Sequence, residues 1–197
     1  MKRLLIITWG LLALAACGVS MEPNYYTLNP TPGDITLEES GGIKINRPVL
    51  PGYLDRPDIV QQSDDHIYID EMNRWAEPLD VLLERIMAMD LRQRMPHEVI
   101  VTELDDKPPR ACFLLENNVD QFNQIDTHLY RMSVQVTVKD SCGCNPWATT
   151  SFTSTTEEQS GSKGLSILIG QLADRVSALV YQADQQRRLC SSSQTIK

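Results

Sequence analysis

Apolar and polar positions alternate in two rhythms along this chain. A two-residue period marks strands: Ile43 and Ile45 alternate with Lys44 and Asn46, and Ile67 and Ile69 alternate with Tyr68 and Asp70. Asn24–Leu28 has the aromatic and β-branched content of a first strand, closed by Pro30, Pro32 and Gly33. Pro51 and Gly52 break the strand before them, Ile59–Gln62 extends, and Ser63-Asp64-Asp65 turns, which makes a hairpin with the Ile67 strand. The longest alternation runs through Tyr130, Met132, Val134, Val136 and Val138, with Arg131, Ser133, Gln135, Thr137 and Lys139 between them. It pairs in expectation with Ala111–Ile125 across Asp126-Thr127. Trp147–Thr156 is rich in Thr and Ser with one Phe152; a loop would accept this composition, but Thr favours an edge strand.

The second rhythm is helical. After Pro78, which loses no hydrogen bond at a helix start, Leu79, Leu82, Leu83, Ile86 and Met89 form a stripe, with Asp80, Glu84, Arg85 and Arg92 elsewhere on the wheel. This helix should end before Pro96, and His97–Thr102 should follow as a strand parallel to an earlier one through a right-handed crossover. Ser160–Lys163 caps a second helix, whose stripe is Leu165, Leu168, Ile169, Leu172, Val176, Leu179 and Val180. The expected fold is one α/β (α+β) domain over residues 24–190: a mixed, largely antiparallel sheet with two amphipathic helices on one face or flanking it. Residues 191–197 are expected to be a mobile tail, which begins as early as Arg187 unless Cys190 ties it down.

The N-terminus lies outside this pattern. Lys2 and Arg3 precede a short apolar run, Leu4–Ala13, of signal-peptide length. An uncleaved membrane anchor is the competing reading. It is disfavoured by Leu14-Ala15-Ala16-Cys17, which resembles a bacterial lipobox whose cysteine thiol accepts a diacylglyceryl group. Residues 1–16 are then a signal peptide, Cys17 the lipidated first residue, and 17–23 a tether. By the same resemblance, Gly18 in place of an aspartate after the cysteine points to the outer membrane. Buried acyl chains, at about 0.8 kcal/mol per CH₂, hold such a protein without a spanning helix.

Charge narrows the partners. The 197 residues are 42% hydrophobic and 22% charged, an ordinary globular balance in one domain. Removing Lys2 and Arg3 from the 18 basic residues leaves 16 against 26 acidic ones, a mature charge of −10. That excludes nucleic acid as a partner and electrostatic docking on anionic lipid.

With Cys17 committed to lipid, Cys112, Cys142, Cys144 and Cys190 remain, an even number that suggests two disulfides in an oxidising compartment. In a hairpin centred near Thr127, residues whose numbers sum to about 254 face each other, which favours Cys112 with Cys142 and leaves Cys144 with Cys190. Cys144 and Cys142 differ only in strand face and can exchange in this scheme. A four-thiolate zinc site competes, but Cys-x-Cys is tighter than the usual knuckle.

Enzyme chemistry is not written in the chain. His66, His97 and His128 are scattered and form no His-Glu-x-x-His pair, so no metal is expected. Gly161-Ser162-Lys163-Gly164 lacks the frame of a phosphate loop and reads as a helix cap, and no Gly-x-Ser-x-Gly elbow occurs. No catalytic residue and no cofactor are assigned.

The early Tyr25-Tyr26-Thr27-Leu28 strand, Leu50-Pro51-Gly52-Tyr53-Leu54-Asp55-Arg56-Pro57 with Ile59-Val60, and Arg74-Trp75-Ala76-Glu77-Pro78-Leu79 closely resemble the ABC-type transport auxiliary lipoprotein family, of the paraquat-inducible protein C type. Val119-Asp120-Gln121-Phe122 resembles that family's apolar-x-x-Phe segment before a long strand. The resemblance runs in order from the lipobox to the last helix. It implies a non-enzymatic auxiliary subunit of an envelope lipid-transport system, with a mammalian-cell-entry (MCE) domain protein as partner and a homo-oligomeric ring as a plausible assembly. A small-molecule or lipid-binding lipoprotein, and a structural envelope lipoprotein, are the alternatives.

Within the signature, Tyr53, Leu54, Arg56 and Trp75 are candidates for a partner interface, since Tyr, Trp and Arg dominate such contacts. The competing expectation places Trp75 as a core lid and pairs Arg56 with a carboxylate that pins a loop.

Overall fold

Two long strands joined by a tight turn form the spine of the molecule. The computed structural model describes residues 22–36, 40–105, 111–142 and 147–194. In chain order its elements are β1 (Asn24–Tyr26), β2 (Ile43–Ile45), β3 (Asp58–Ser63), β4 (His66–Trp75), α1 (Leu79–Arg94), β5 (Ile100–Val101), β6 (Phe113–Asp126), β7 (Leu129–Asp140), β8 (Trp147–Glu157) and α2 (Gly161–Gln194). The signal peptide, Cys17 and the first part of the tether lie outside the described residues, as does Cys144.

β6 and β7 pair antiparallel with Leu115 opposite Val138 and Phe122 opposite Met132, and β7 pairs in turn with β8. The other edge of β6 is shared. β2 runs parallel to its first residues, Val49 bridges Asn118, and β3 meets it at Gln124. β4 and β1 extend the sheet beyond β3, and β5 extends it beyond β2. The result is a mixed, curled eight-stranded sheet with two helices in one domain.

Alternation decides the faces. Tyr130, Met132, Val134, Val136 and Val138 are all buried, each at 4% exposure or less. On β6 the buried set is Phe113, Leu115, Val119 and Phe122, kept on one face by a bulge between Val119 and Gln121. Both helices share this side in one continuous cluster with Leu82, Ile86, Leu168, Leu172 and Val176. The strand after α1 is indeed parallel to β2, though only Ile100 and Val101 pair.

Three features were not specified by the periodicity. Ile67 and Ile69 form the expected strand but stand exposed, at 41% and 43%. Glu84, off the apolar stripe of α1, is buried, with Arg47 Nε at 3.7 Å and the Glu103 N–H donating to it at 2.7 Å. α2 continues through Gln194 with no break at Arg187 or 191. Asp184 pairs with Arg187 and Arg188 one turn on, which supports that last stretch.

Cys112 and Cys142 form a disulfide with Cα atoms 5.0 Å apart, just past the last ladder pair of Phe113 with Asp140. Cys190 is disulfide-bonded as well.

Candidate functional site

The signature stretch is a clamp between the sheet and the start of α1. Pro51 O accepts the N–H groups of Leu54 and Asp55, and this turn drives Leu54 into the core at 2% exposure. Tyr53 is half-buried, and its hydroxyl donates to Asp120 O at 2.8 Å; burial together with the Asp120 charge raises its pKa. Asp58 lies between two guanidinium groups, with Arg56 Nε at 3.5 Å and Arg74 Nε at 3.1 Å. Trp75 donates its N–H to Pro57 O at 2.7 Å, and its ring meets Phe122 with centroids 6.4 Å apart. At 5% exposure Trp75 is core, so neither it nor Leu54 offers a side chain to a partner. Of the four expected interface residues, Tyr53 and Arg56 alone keep solvent contact, and Arg56 carries the loop-pinning pair.

A second polar centre sits between the helices. Arg94 is 1% exposed and donates Nε to Asp174 Oδ1 at 2.5 Å, Nη1 to Thr31 O at 2.9 Å, and Nη2 to Gly170 O at 3.0 Å. Asp90, fully buried, accepts the Thr31 N–H at 2.7 Å and lies 3.5 Å from Arg94. Burial pushes the Asp90 carboxyl up to about 6, with Asp174 adding repulsion, against the Thr31 N–H and Arg94, which favour the anion. The segment around Thr31 is thereby strapped across both helices. Space there is tight: a Cβ on Gly170 would stand 1.8 Å from Thr31 Oγ1. The signal was present in the sequence, because Asp90 and Arg94 continue the apolar spacing of Leu79, Leu83 and Ile86 with an opposite-charge pair four residues apart.

A cleft of about 150 Å³ opens between the β3–β4 hairpin and the first turn of α2, lined by Ile59, Asp70, Asn73, Trp75, Tyr130 and Leu165 among others. Ligand pockets span roughly 300–1,000 Å³, so the cleft is small for a lipid or cofactor. A depression of about 580 Å³ beside Asp34 and Tyr181 is larger but lies open on the surface. Gly164 packs against Tyr130, where a Cβ would come within 2.4 Å of the ring, which gives the glycine-rich helix start a packing role. Ser160 O accepts the Gly164 N–H at 2.9 Å, and Lys163 pairs with Glu158 at 2.7 Å.

Among the described residues no group of three or more His, Cys, Asp or Glu is placed to hold a metal, and no helix is long and apolar enough to cross a membrane. His66 contacts Asp65 at 2.7 Å in the hairpin turn, and His128 takes a positive φ of 60° in the β6–β7 turn.

The edges of the sheet carry the remaining feature. β1 pairs with β4 only from Asn73 to Trp75, and β3 occupies the opposite edge. Among the described residues, His66–Met72 therefore has one edge without a strand partner. Exposed on it are Ile67, Tyr68, Ile69 and Met72, at 41%, 56%, 43% and 36%.

Comparison with known proteins places this arrangement. The family described as "ABC-type transport auxiliary lipoprotein component" matches residues 26–180. A crystal structure of a Xanthomonas campestris protein of the DUF330 family is similar with a TM-score of 0.66 at 15% identity, over 84% of this chain and 99% of that one. A further crystal structure, of an uncharacterized protein, is similar with a TM-score of 0.64 at 17% identity, over 83% of this chain and 99% of the other. These two likenesses concern the fold. No curated protein matches the chain in sequence.

Proposed function

This chain belongs to the ABC-type transport auxiliary lipoprotein family, and on that premise we propose that it is the outer-membrane subunit of an envelope lipid-transport system, docking an MCE-domain protein. As a family member it is a membrane-anchored envelope component of a transport system. The family match over residues 26–180 carries the proposal, and the lipobox ending at Cys17 supports it.

The parts divide the work. Acyl chains on Cys17 fix the chain to the bilayer, and the six residues 18–23 reach at most about 20 Å, at roughly 3.4 Å per residue. The domain is thus held near the lipid surface, facing the periplasm. Its contribution to transport is to bind and position a partner, and no bond-making step is assigned to it. A ring of identical copies would offer a tubular partner a closed collar.

The test is recovery of a transporter component with the mature, lipidated chain after crosslinking in the native envelope. Sedimentation of that chain with outer-membrane rather than inner-membrane vesicles tests its location. The same chain with residues 1–17 replaced by a cleavable export signal that carries no lipidation cysteine should be lost from both membrane fractions.

A further inference from the structure

Among the described residues, no strand occupies the edge of β4 opposite β3 from His66 to Met72. We propose that His66–Met72 is a docking strand that accepts, by β-sheet addition, an extended partner segment in which apolar side chains alternate with Lys or Arg. This deepens the functional reading above and rests on it.

The edge has the geometry for addition. Seven consecutive residues are extended, the first five, His66–Asp70, paired with β3 on one side only, and the stretch exposes Ile67, Tyr68, Ile69 and Met72. Natural proteins blunt such edges with charged side chains, Pro, bulges or a covering element; among the described residues this one has carboxylates and a bulge at its Glu71 end, but no Pro, no Lys and no covering strand over His66–Asp70. A long apolar edge left open marks either an aggregation hazard or a binding strand; main-chain hydrogen bonds supply affinity in the second case and alternate side chains supply specificity. Asp70 and Asn73 also line the 150 Å³ cleft, so the edge adjoins a recess with room for one side chain. The irregular register between Asp58 and Ile59 leaves Glu71, Met72 and Asn73 unopposed by β3, so the C-terminal end of the strand is irregular.

Charge selects the occupant. Asp64, Asp65, Asp70 and Glu71 rim the apolar strip, with His66 the sole basic type from Asp64 to Asn73. A bilayer surface with anionic lipid is repelled by four carboxylates, whereas a strand carrying Lys or Arg at alternate positions, on the face of Ile67 and Ile69, meets two of them, Asp65 and Glu71, at the ends of that strip.

Three occupants closer to hand fit worse. The chain's own N-terminus would have to continue β1, which pairs Asn24 with Asn73 in parallel. In that register Pro23, with no N–H to donate, stands opposite Met72, and Glu22 stands opposite Glu71, so the ladder ends where β1 ends. Pairing β4 with β4 of a second copy brings like charges together. Another outer strand, β8, reads Trp-Ala-Thr-Thr-Ser-Phe-Thr-Ser-Thr-Thr-Glu and brings no basic side chain from a second copy.

Amide hydrogen exchange on the mature chain tests this with two synthetic peptides. One is Thr-Lys-Val-Arg-Ile-Lys-Thr, and the other has each Lys and Arg replaced by Glu. The basic peptide should slow exchange of the outward-facing amides within His66–Met72 at least tenfold, and the acidic one should not. The double variant Asp65→Lys, Glu71→Lys, at two exposed side chains, should weaken binding of the basic peptide at least tenfold and leave the melting temperature unchanged. The proposal is overturned by slowing elsewhere or nowhere, by protection of this edge in the dilute free chain, or by protection that rises with protein concentration. Recovery of a transporter component from the envelope without peptide-induced protection would sink the docking strand alone. Protection by the basic peptide with no such recovery would sink the functional reading instead.

Discussion

Arg94 on α1 reaches across to Asp174 on α2, Nε to Oδ1 at 2.5 Å, and joins the two helices from a position that is 1% exposed. The same guanidinium holds the backbone at Thr31 and Gly170. One side chain therefore fixes both helices and the segment that follows β1. Arg94→Met leaves Asp90 buried without its counter-charge and should destabilise the fold by about 3–5 kcal/mol. Urea unfolding measures this, and Arg94→Met with Asp90→Leu should recover part of the loss, since an apolar pair removes the stranded charge.

Asp90 gives stability a pH dependence of known sign. Its pKa is raised from 3.8 to about 6 in the folded chain, so between those values the folded state holds a proton that the unfolded state has released. The Asp90 contribution is complete below about pH 4 and is lost as pH rises through about 6. The groups that face it are Arg94, Asp174 and the Thr31 N–H. Urea unfolding of the native chain and of Asp90→Asn across this range should show the native chain losing stability relative to the variant from about pH 4 to 6, then running level.

Trp75 and Arg56, neighbours in the signature, should behave as opposites. Trp75→Ala empties a core site against Phe122 and should cost about 3–5 kcal/mol. Arg56→Ala removes one of two guanidinium groups at Asp58 from a side chain 34% exposed, and should cost no more than about 1 kcal/mol. Thermal melts compare the two; full stability of Trp75→Ala would contradict the core assignment.

The Cys112–Cys142 bond closes a separation of 30 residues at the open end of the β6–β7 hairpin. Its removal by Cys112→Ser with Cys142→Ser should cost about 2 kcal/mol, the low end of the usual range, because the ladder already holds the strand ends together. Denaturation of the oxidised native chain and the variant measures the difference.

What was legible follows from periodicity. The alternation from Tyr130 to Val138 gave the β7 face residue by residue, because nothing but burial imposes a strict two-residue period over that length. The hairpin register followed from its turn, and it brought Cys112 and Cys142 together. Burial was not legible where tertiary context decided it. Ile67 and Ile69 alternate as Ile43 and Ile45 do, yet the first pair is exposed and the second fully buried, so the period gave the strand and not what covers it. The burial of Glu84 was not legible because its partners, Arg47 and the Glu103 N–H, are distant in sequence. The Arg94 centre escaped for a related reason: four of its acceptors, Thr31, Pro32, Gly170 and Asp174, are contributed by remote segments. Only the Asp90–Arg94 spacing on the apolar stripe announced it.

The central claim, that this chain is the membrane-anchored docking subunit of a lipid transporter, is tested most directly by crosslinking in the native envelope followed by affinity purification of the lipidated chain and mass spectrometry of what is covalently attached. The account predicts an MCE-domain protein as the main crosslinked polypeptide, lost when a cleavable export signal without a lipidation cysteine replaces residues 1–17 and releases the chain from the membrane. Recovery of the chain crosslinked to no transporter component, under conditions where it remains folded and membrane-bound, would contradict it.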